Sequence, residues 1–261
     1  METEKRGIGR ICTGPAGLTD NFGMATRRST LVLGAGGPAS LVALAMCKDA
    51  GGATPGLLYV HDGRSAARAR LEHARRQADF FALTDFHELH LPHLHSKTAT
   101  AEQGAARSAL SVPQLLLAAV QLAGRRGFDE VVWPACRGDD PDAVALALEQ
   151  TTLVQHLAQA ERDLDAKRST TTDVTAAVTI QTPLLDLNAA AVLNLGERVG
   201  ASWALAWSCL SQSQGGGGDV GGGQPCGACG GCRHRRRAFE EAGIVDPLDP
   251  STQARHAVRA A

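Results

Sequence analysis

The sequence predicts an α/β fold: a doubly wound, Rossmann-like parallel sheet with a small helical metal-binding region toward its C-terminal end. Three observations predict it. Short apolar runs alternate with longer segments of helical period, a glycine-rich turn joins the first run to the first helix, and four cysteines cluster late in a chain of 261 residues. Such a length buries a sizeable core, as one domain or as a domain with an appendage. The second arrangement is expected, with an extension at 1–28, a nucleotide-binding-like α/β domain at 29–200 and a cysteine region at 201–261.

Residues 1–28 are rich in Gly, Thr and Arg without apolar periodicity and read as a loose extension, with Met24 an alternative start. Leu31-Val32-Leu33 is a strand, Gly34 to Gly37 a turn, and Leu41 to Met46 the apolar part of a helix. Leu57 to Val60 follows a Gly/Pro break as a second strand, which makes a βαβ unit with parallel pairing. Ser65 to Phe81 has helical spacing, and His87 to Leu91 alternates as a short strand. Residues 112–126 form an amphipathic helix before the strand Val131-Val132-Trp133. A long helix over Asp142 to Ala166, a strand over Val174 to Ile180 and a helix over Leu187 to Val199 complete the alternation. Ser211 to Gln224, with seven glycines, is a flexible loop, and no internal repeat is apparent.

A formal charge of -1 gives no global case for nucleic acid or an anionic membrane, and no direct nucleic-acid partner is expected. No stretch approaches the roughly 18 apolar residues of a membrane span, and the N-terminal residues lack the apolar core of a signal peptide. A cytoplasmic protein without membrane contact is therefore expected. In that reducing compartment clustered cysteines serve metals or catalysis more often than disulfides.

Cys226-Gly-Ala-Cys229-Gly-Gly-Cys232 turns three sulfurs toward one point, because glycine permits the tight knuckle. Cys209, before the glycine-rich loop, supplies a fourth; His234 is the other nearby donor. Soft thiolates exclude calcium and magnesium and favour zinc or an iron-sulfur cluster, with zinc preferred. A closed four-sulfur site is structural, since it leaves no position for water or substrate. The adjoining run Arg233-His234-Arg235-Arg236-Arg237 either compensates the charge of that centre or contacts phosphate. Cys12, Cys47 and Cys136 read as ordinary small residues, with Cys136 placed beside Arg137 at a strand end.

A strand that ends in Gly34-Ala35-Gly36-Gly37-Pro38-Ala39-Ser40 and opens a helix aims backbone N–H groups at one spot, which suits phosphate. Gly34, Gly36 and Ala39 also fit the dinucleotide fingerprint, with Asp62 positioned for a ribose hydroxyl; that reading is an NAD(P)-binding oxidoreductase. The plain alternative is a turn required only for helix–strand packing. His87, His90, His93 and His95 read as a solvated loop and not as a second metal site.

The segments Thr182-Pro183-Leu184-Leu185-Asp186-Leu187, Trp207-Ser208-Cys209, Pro225 to Arg233, Ala238-Phe239 and Ala242-Gly243 closely resemble the 7-cyano-7-deazaguanine synthase family, over residues 29–248. The resemblance implies an adenine nucleotide alpha hydrolase type of fold and zinc on Cys209, Cys226, Cys229 and Cys232. It implies ATP with Mg²⁺ at the loop Gly34, Gly36, Gly37 and Ser40. It also implies a reaction in which the carboxylate of 7-carboxy-7-deazaguanine is adenylated, ammonia forms an amide, and a second activation gives the nitrile. A homodimer is compatible with it.

The family's loop reads SGGxDS, whereas this chain has AGGPAS, with Ala35 and Ala39 in place of a hydroxyl and a carboxylate. Its DYGQ-like stretch appears as His61-Asp62-Gly63-Arg64, its VPxRN piece as Val112 to Leu116, and its later Lys as Ala189 or Ala190. Pro134-Ala135-Cys136-Arg137 partly keeps a PDCR piece, with Arg137 facing substrate by resemblance. Scaffold and cysteine positions are kept while polar positions are lost. The expectation is thus a synthase with a weakened ATP loop, or a catalytically altered relative that binds a nucleotide or a partner.

Overall fold

A computed structural model describes residues 28–50, 53–63, 66–94, 110–168, 177–211 and 224–249. The expected extension, Cys12, His95, the start of the expected strand at 174 and most of the 211–224 loop lie outside the described residues.

Five strands form one sheet: β1 (Thr30–Leu33), β2 (Gly56–His61), β3 (Phe86–His90), β4 (Glu130–Val132) and β5 (Thr179–Gln181). Their order is β3-β2-β1-β4-β5 and every pairing is parallel. The central strand β1 is buried throughout. That is why it reads as an unbroken apolar run and not as an alternation.

The helices are α1 (Pro38–Asp49), α2 (Ala67–Phe80), α3 (Ser111–Arg126), α4 (Pro141–Arg168), α5 (Ala189–Arg198) and α6 (Gly230–Ala242). One core joins α1, α2, α5 and α6 to one face of the sheet, through residues such as Leu44, Ala74, Leu193 and Phe239. The other joins α3 and α4 to the opposite face through Leu116, Ala123, Val154 and Ala158. Helices on both faces of a parallel sheet make the predicted doubly wound architecture. Because successive crossovers leave β1 toward opposite sides, a crevice opens at the carboxyl ends of β1 and β4.

Local signals set the boundaries. Pro38 opens α1, where a missing N–H costs nothing. Asn188 caps α5 by accepting from the N–H of Ala191 at 2.8 Å, so the helix starts two residues later than the apolar pattern from Leu187 suggested. Gly127, at φ +78, ends α3 in the left-handed conformation. The last strand is Thr179–Gln181 where Val174 to Ile180 was expected. Its ladder extends only as far as its single neighbour β4, which is three residues long.

Candidate functional site

The turn after β1 sits at the crevice, and its glycines have separate roles. Gly36 has φ +69, and a Cβ there would run into the carbonyl of Arg70 on α2. One at Gly34 would meet the Leu57 side chain. Packing alone therefore demands both. Gly37 lies in extended backbone, and a Cβ there would be 3.6 Å from the Trp207 carbonyl, an ordinary contact. Ser40 is buried, with Oγ 2.9 Å from the carbonyl of Gly37 and 3.1 Å from Oε1 of Gln77. Two protein acceptors compete for its one proton.

Gly34, Gly37 and Ser40 line a cavity of about 410 Å³ whose other wall is the Trp133–Arg137 segment after β4. Leu58, Trp133 and Phe239 supply apolar surface, and Asp62, Arg70, Ser111 and Arg137 are polar. Arg70 is paired with Asp62 at 3.3 Å, both nearly buried, and its Nε donates to the carbonyl of Ala35. Ser111 is buried, and its hydroxyl has no hydrogen-bond partner within the described protein. The Cys136 thiol donates to the Leu187 carbonyl at 2.8 Å, and burial pushes it up to about 11. It is no nucleophile near neutral pH.

The cysteine region is tied to this crevice. The N–H of Trp207 donates to the carbonyl of Gly36 at 2.7 Å, and the indole stacks on His73 with ring centroids 5.0 Å apart. Two residues on, Cys209 joins Cys226, Cys229 and Cys232, and the four sulfurs lie within 4.8 Å of one another. The sulfurs are 3.9 Å apart for Cys226–Cys232 and Cys209–Cys229, and 3.5 Å for Cys229–Cys232. Backbone N–H groups of Leu210 and Cys229 donate to the sulfurs of Cys229 and Cys226, each at 3.3 Å. Burial pushes the Cys226 thiol up, but donors at Cys229 and Ala228 outweigh it and bring it to about 6. Burial dominates at Cys209 and Cys232, whose values are raised. A divalent cation would relieve that opposition, so the donor set suits a thiophilic metal.

The four arginines of the basic run find partners within the chain, Arg235 in the interior and the others toward the surface. Arg233 donates to the Ala228 carbonyl, Arg236 pairs with Asp249 and Arg237 with Glu241. Arg235 is buried, binds Asp246 through two hydrogen bonds of 2.7 and 2.8 Å, donates to the carbonyls of Ala206 and Trp203, and lies over Phe239. The partners are carbonyls and the carboxylates of Asp246, Asp249 and Glu241, not the sulfur centre whose charge the run was expected to compensate, and His234 and Arg235 also line the cavity.

The strand expected over His87 to Leu91 is β3, paired with β2, so His87 and His90 belong to it and the solvated-loop reading fails for these two; His93 lies in a short 3₁₀ turn. His90 also comes close to His61 and Glu88, a trio within 4.8 Å. There Glu88 accepts from Arg75 at 2.6 Å and lies 2.9 Å from Nε2 of His61, an ion-paired cluster at the sheet edge.

A family model described as Queuosine biosynthesis protein QueC matches residues 29–243. The chain belongs to this family. A QueC-family relative, the 7-cyano-7-deazaguanine synthase of Cyanothece sp., is 34% identical over 143 residues, covering 54% of this chain and 52% of that protein. The synthase of Thermosynechococcus vestitus is 42% identical over 71 residues, 27% of each chain. The match thus spans about half the length of the curated relatives or less. Among solved structures, the U34-tRNA thiolase NcsA from Methanococcus maripaludis with its [4Fe-4S] cluster has a TM-score of 0.42 at 14% identity, covering 68% of this chain and 59% of that one. At that likeness nothing about metal or substrate passes from one to the other.

Within the QueC frame, cysteine spacing located the sulfur cluster, and the glycine pattern located the turn. Arg70, Ser111 and the special place of Arg235 carried no sequence signal, and Trp207 entered only through the resemblance, without its contact to the turn. Each depends on a partner more than 25 residues away or on a cavity assembled from several elements.

Proposed function

We propose that the chain is a divergent 7-cyano-7-deazaguanine synthase relative that binds a carboxylated 7-deazapurine or a nucleotide in this cavity, with ATP-dependent turnover greatly weakened. The cavity between the glycine turn and Trp133–Arg137 carries the reading. Its volume lies in the range of small-molecule sites, and its walls are apolar with a few convergent polar groups. A flat purine suits Leu58 and Trp133. The hydroxyl of Ser111 offers a hydrogen bond, and Arg137 offers a positive charge for a carboxylate.

Magnesium does not fit the groups that are present. Ala35 and Ala39 bring no oxygen side chain, Ser40 is held between Gly37 and Gln77, and Asp62 is engaged by Arg70. The loop thus lacks a free side-chain oxygen for a metal–ATP complex. Phosphate contact would fall to backbone N–H groups of the turn and the start of α1.

Zinc fits the four sulfurs. A tetrahedron with Zn–S of about 2.3 Å needs sulfurs about 3.8 Å apart, and the Cys226–Cys232, Cys209–Cys229 and Cys229–Cys232 pairs lie 3.5 to 3.9 Å apart. Cys209, Cys226, Cys229 and Cys232 would hold it in a closed, structural site, which a reducing cytoplasm favours. The internal pairing of Arg233 to Arg237 supports a small-molecule function over nucleic-acid contact.

The test incubates purified protein with 7-carboxy-7-deazaguanine, ammonium, ATP and Mg²⁺ and follows AMP and nitrile by mass spectrometry, beside Ala35→Ser/Ala39→Asp. Binding of the deazapurine is measured by calorimetry on both proteins. Binding by both, with turnover at least about 100-fold faster in the double variant, is expected. Full turnover by the unaltered chain overturns the weakened-loop reading. Absence of binding to either protein, when folded and metal-loaded, overturns the cavity assignment.

A further inference from the structure

The carboxyl ends of β2 and β3 carry a group of side chains that the cavity does not use. Along β2, Leu58, Val60 and Asp62 line the cavity, so Tyr59 and His61 between them point to the opposite face of the sheet, under α2. The Tyr59 hydroxyl accordingly donates to the carbonyl of Ala67, at the start of α2, at 2.7 Å. Register sets Glu88 beside Tyr59 and His90 beside His61, on that same face.

One donor atom from each of His61, Glu88 and His90 lies within 4.8 Å of the others. Two imidazoles and a carboxylate suit zinc, nickel, cobalt or ferrous iron, whereas calcium and magnesium take oxygen donors. Donors about 2.1 Å from an ion stand about 3.0 Å apart at a right angle and about 3.4 Å apart in a tetrahedron. Nε2 of His61 and Oε2 of Glu88 are already 2.9 Å apart. The His61 and His90 rings stack with centroids 4.0 Å apart and planes 7° from parallel, so His90 has to turn for its nitrogen to converge on the same point. His90 is exposed at the sheet edge, where that turn is a rotation of the side chain alone.

Arg75 helps and hinders at once. Its guanidinium binds Oε1 of Glu88 at 2.6 Å and leaves Oε2 facing His61. The carboxylate is thus fixed at one oxygen and offered at the other, as an outer hydrogen bond orients a metal ligand. The positive charge weakens cation binding, but Arg75 is exposed and salt screens it. Because His61 comes from one strand and Glu88 and His90 from the next, spacing along the chain does not reveal the trio.

We propose that His61, Glu88 and His90 bind one divalent transition-metal ion, of the zinc or nickel class, which clamps the edge strand β3 to β2. The ion replaces the proton between His61 Nε2 and Glu88 Oε2, and His61 keeps its proton on Nδ1. Three protein donors leave positions open to water, so this ion exchanges, unlike one enclosed by four sulfurs.

Nickel titrated by calorimetry into the full chain, with the four-cysteine site already filled with zinc, tests this. One further equivalent of micromolar affinity is expected. His61→Ala, His90→Ala and Glu88→Gln should each weaken it at least about tenfold. His156→Ala, at an exposed position on α4, and the pair His93→Ala/His95→Ala should leave it unchanged. Nickel should also raise the melting temperature and slow hydrogen exchange in β3 of the unaltered chain, and do neither in His90→Ala, whose metal-free melting should match the unaltered chain. No further equivalent overturns the proposal, as does binding that survives His90→Ala or that the His93/His95 pair abolishes. Binding that leaves exchange in β3 unchanged overturns the clamp.

Discussion

The N–H of Trp207 reaches the carbonyl of Gly36 across 2.7 Å, and so fastens the cysteine region to the turn that borders the cavity. Cys209 lies two residues beyond Trp207, whose indole N–H donates to the Cys209 carbonyl at 3.1 Å. Order among the sulfurs is thereby coupled to order at the turn.

Metal removal should loosen the knuckle without undocking α6. Trp207, Cys209 and Cys232 form a small buried cluster of their own, whereas Ala238 and Phe239 belong to the main core. Chelation, or Cys232→Ser, is expected to speed hydrogen exchange at 207–211 and 225–232 and to spare 235–239. Ligand affinity in the cavity should fall about tenfold, because Gly36 loses its tether.

Gly36→Ala and Gly37→Ala should separate structure from function. The first puts a Cβ at positive φ against a backbone carbonyl and is expected to cost at least about 2 kcal/mol in urea unfolding. The second fits its extended backbone and should change stability by less than about 1 kcal/mol. Its methyl narrows the cavity rim, so its deficit should appear in ligand binding.

Arg235→Ala should destabilise the chain by about 3–5 kcal/mol, the usual result of breaking a buried ion pair. Asp246 would keep its place beneath α6 without the guanidinium, the carbonyl of Ala206 would lose the arginine donor, and that of Trp203 would keep only the N–H of Ala206. Arg237→Ala, on the exposed neighbouring turn, should cost less than about 0.5 kcal/mol. Thermal unfolding of the two variants side by side checks the contrast.

His73 should make stability fall in mild acid. Burial holds its pKa below the ordinary value of 6.5 against the raising effect of the Leu205 carbonyl, with Arg76 and Arg235 pushing the same way as burial. Between the depressed folded value and 6.5 the unfolded chain binds the proton and the folded chain does not, so this contribution is complete above pH 6.5 and is lost as pH falls through that window. Urea midpoints across this range should slope downward with acid, and less steeply in His73→Gln.

Legibility followed the range of the interactions. Leu31-Val32-Leu33, the glycine turn and Leu41 to Met46 announce a strand, turn and helix because burial and steric limits act on neighbouring residues. The last strand was misplaced because Thr179–Gln181 is defined by the reach of β4, which is remote in sequence. The alternation over His87 to Leu91 announced a strand, but the histidines within it also read as solvated, because edge strands tolerate polar side chains; pairing with β2 decides for the strand.

By itself the sequence determined the alternating α/β plan, the glycine turn and the four cysteines that come together, since period and spacing are local properties of a chain. Tertiary structure alone decided that Gly36 serves packing while Gly37 faces the cavity, that Ser40 spends its proton on Gly37 or Gln77, and that the arginine run is internally paired. It also decided which leucines of α4 are buried and which remain exposed. Helical periodicity says which residues share a face, but only the elements packed around a helix determine which face is covered.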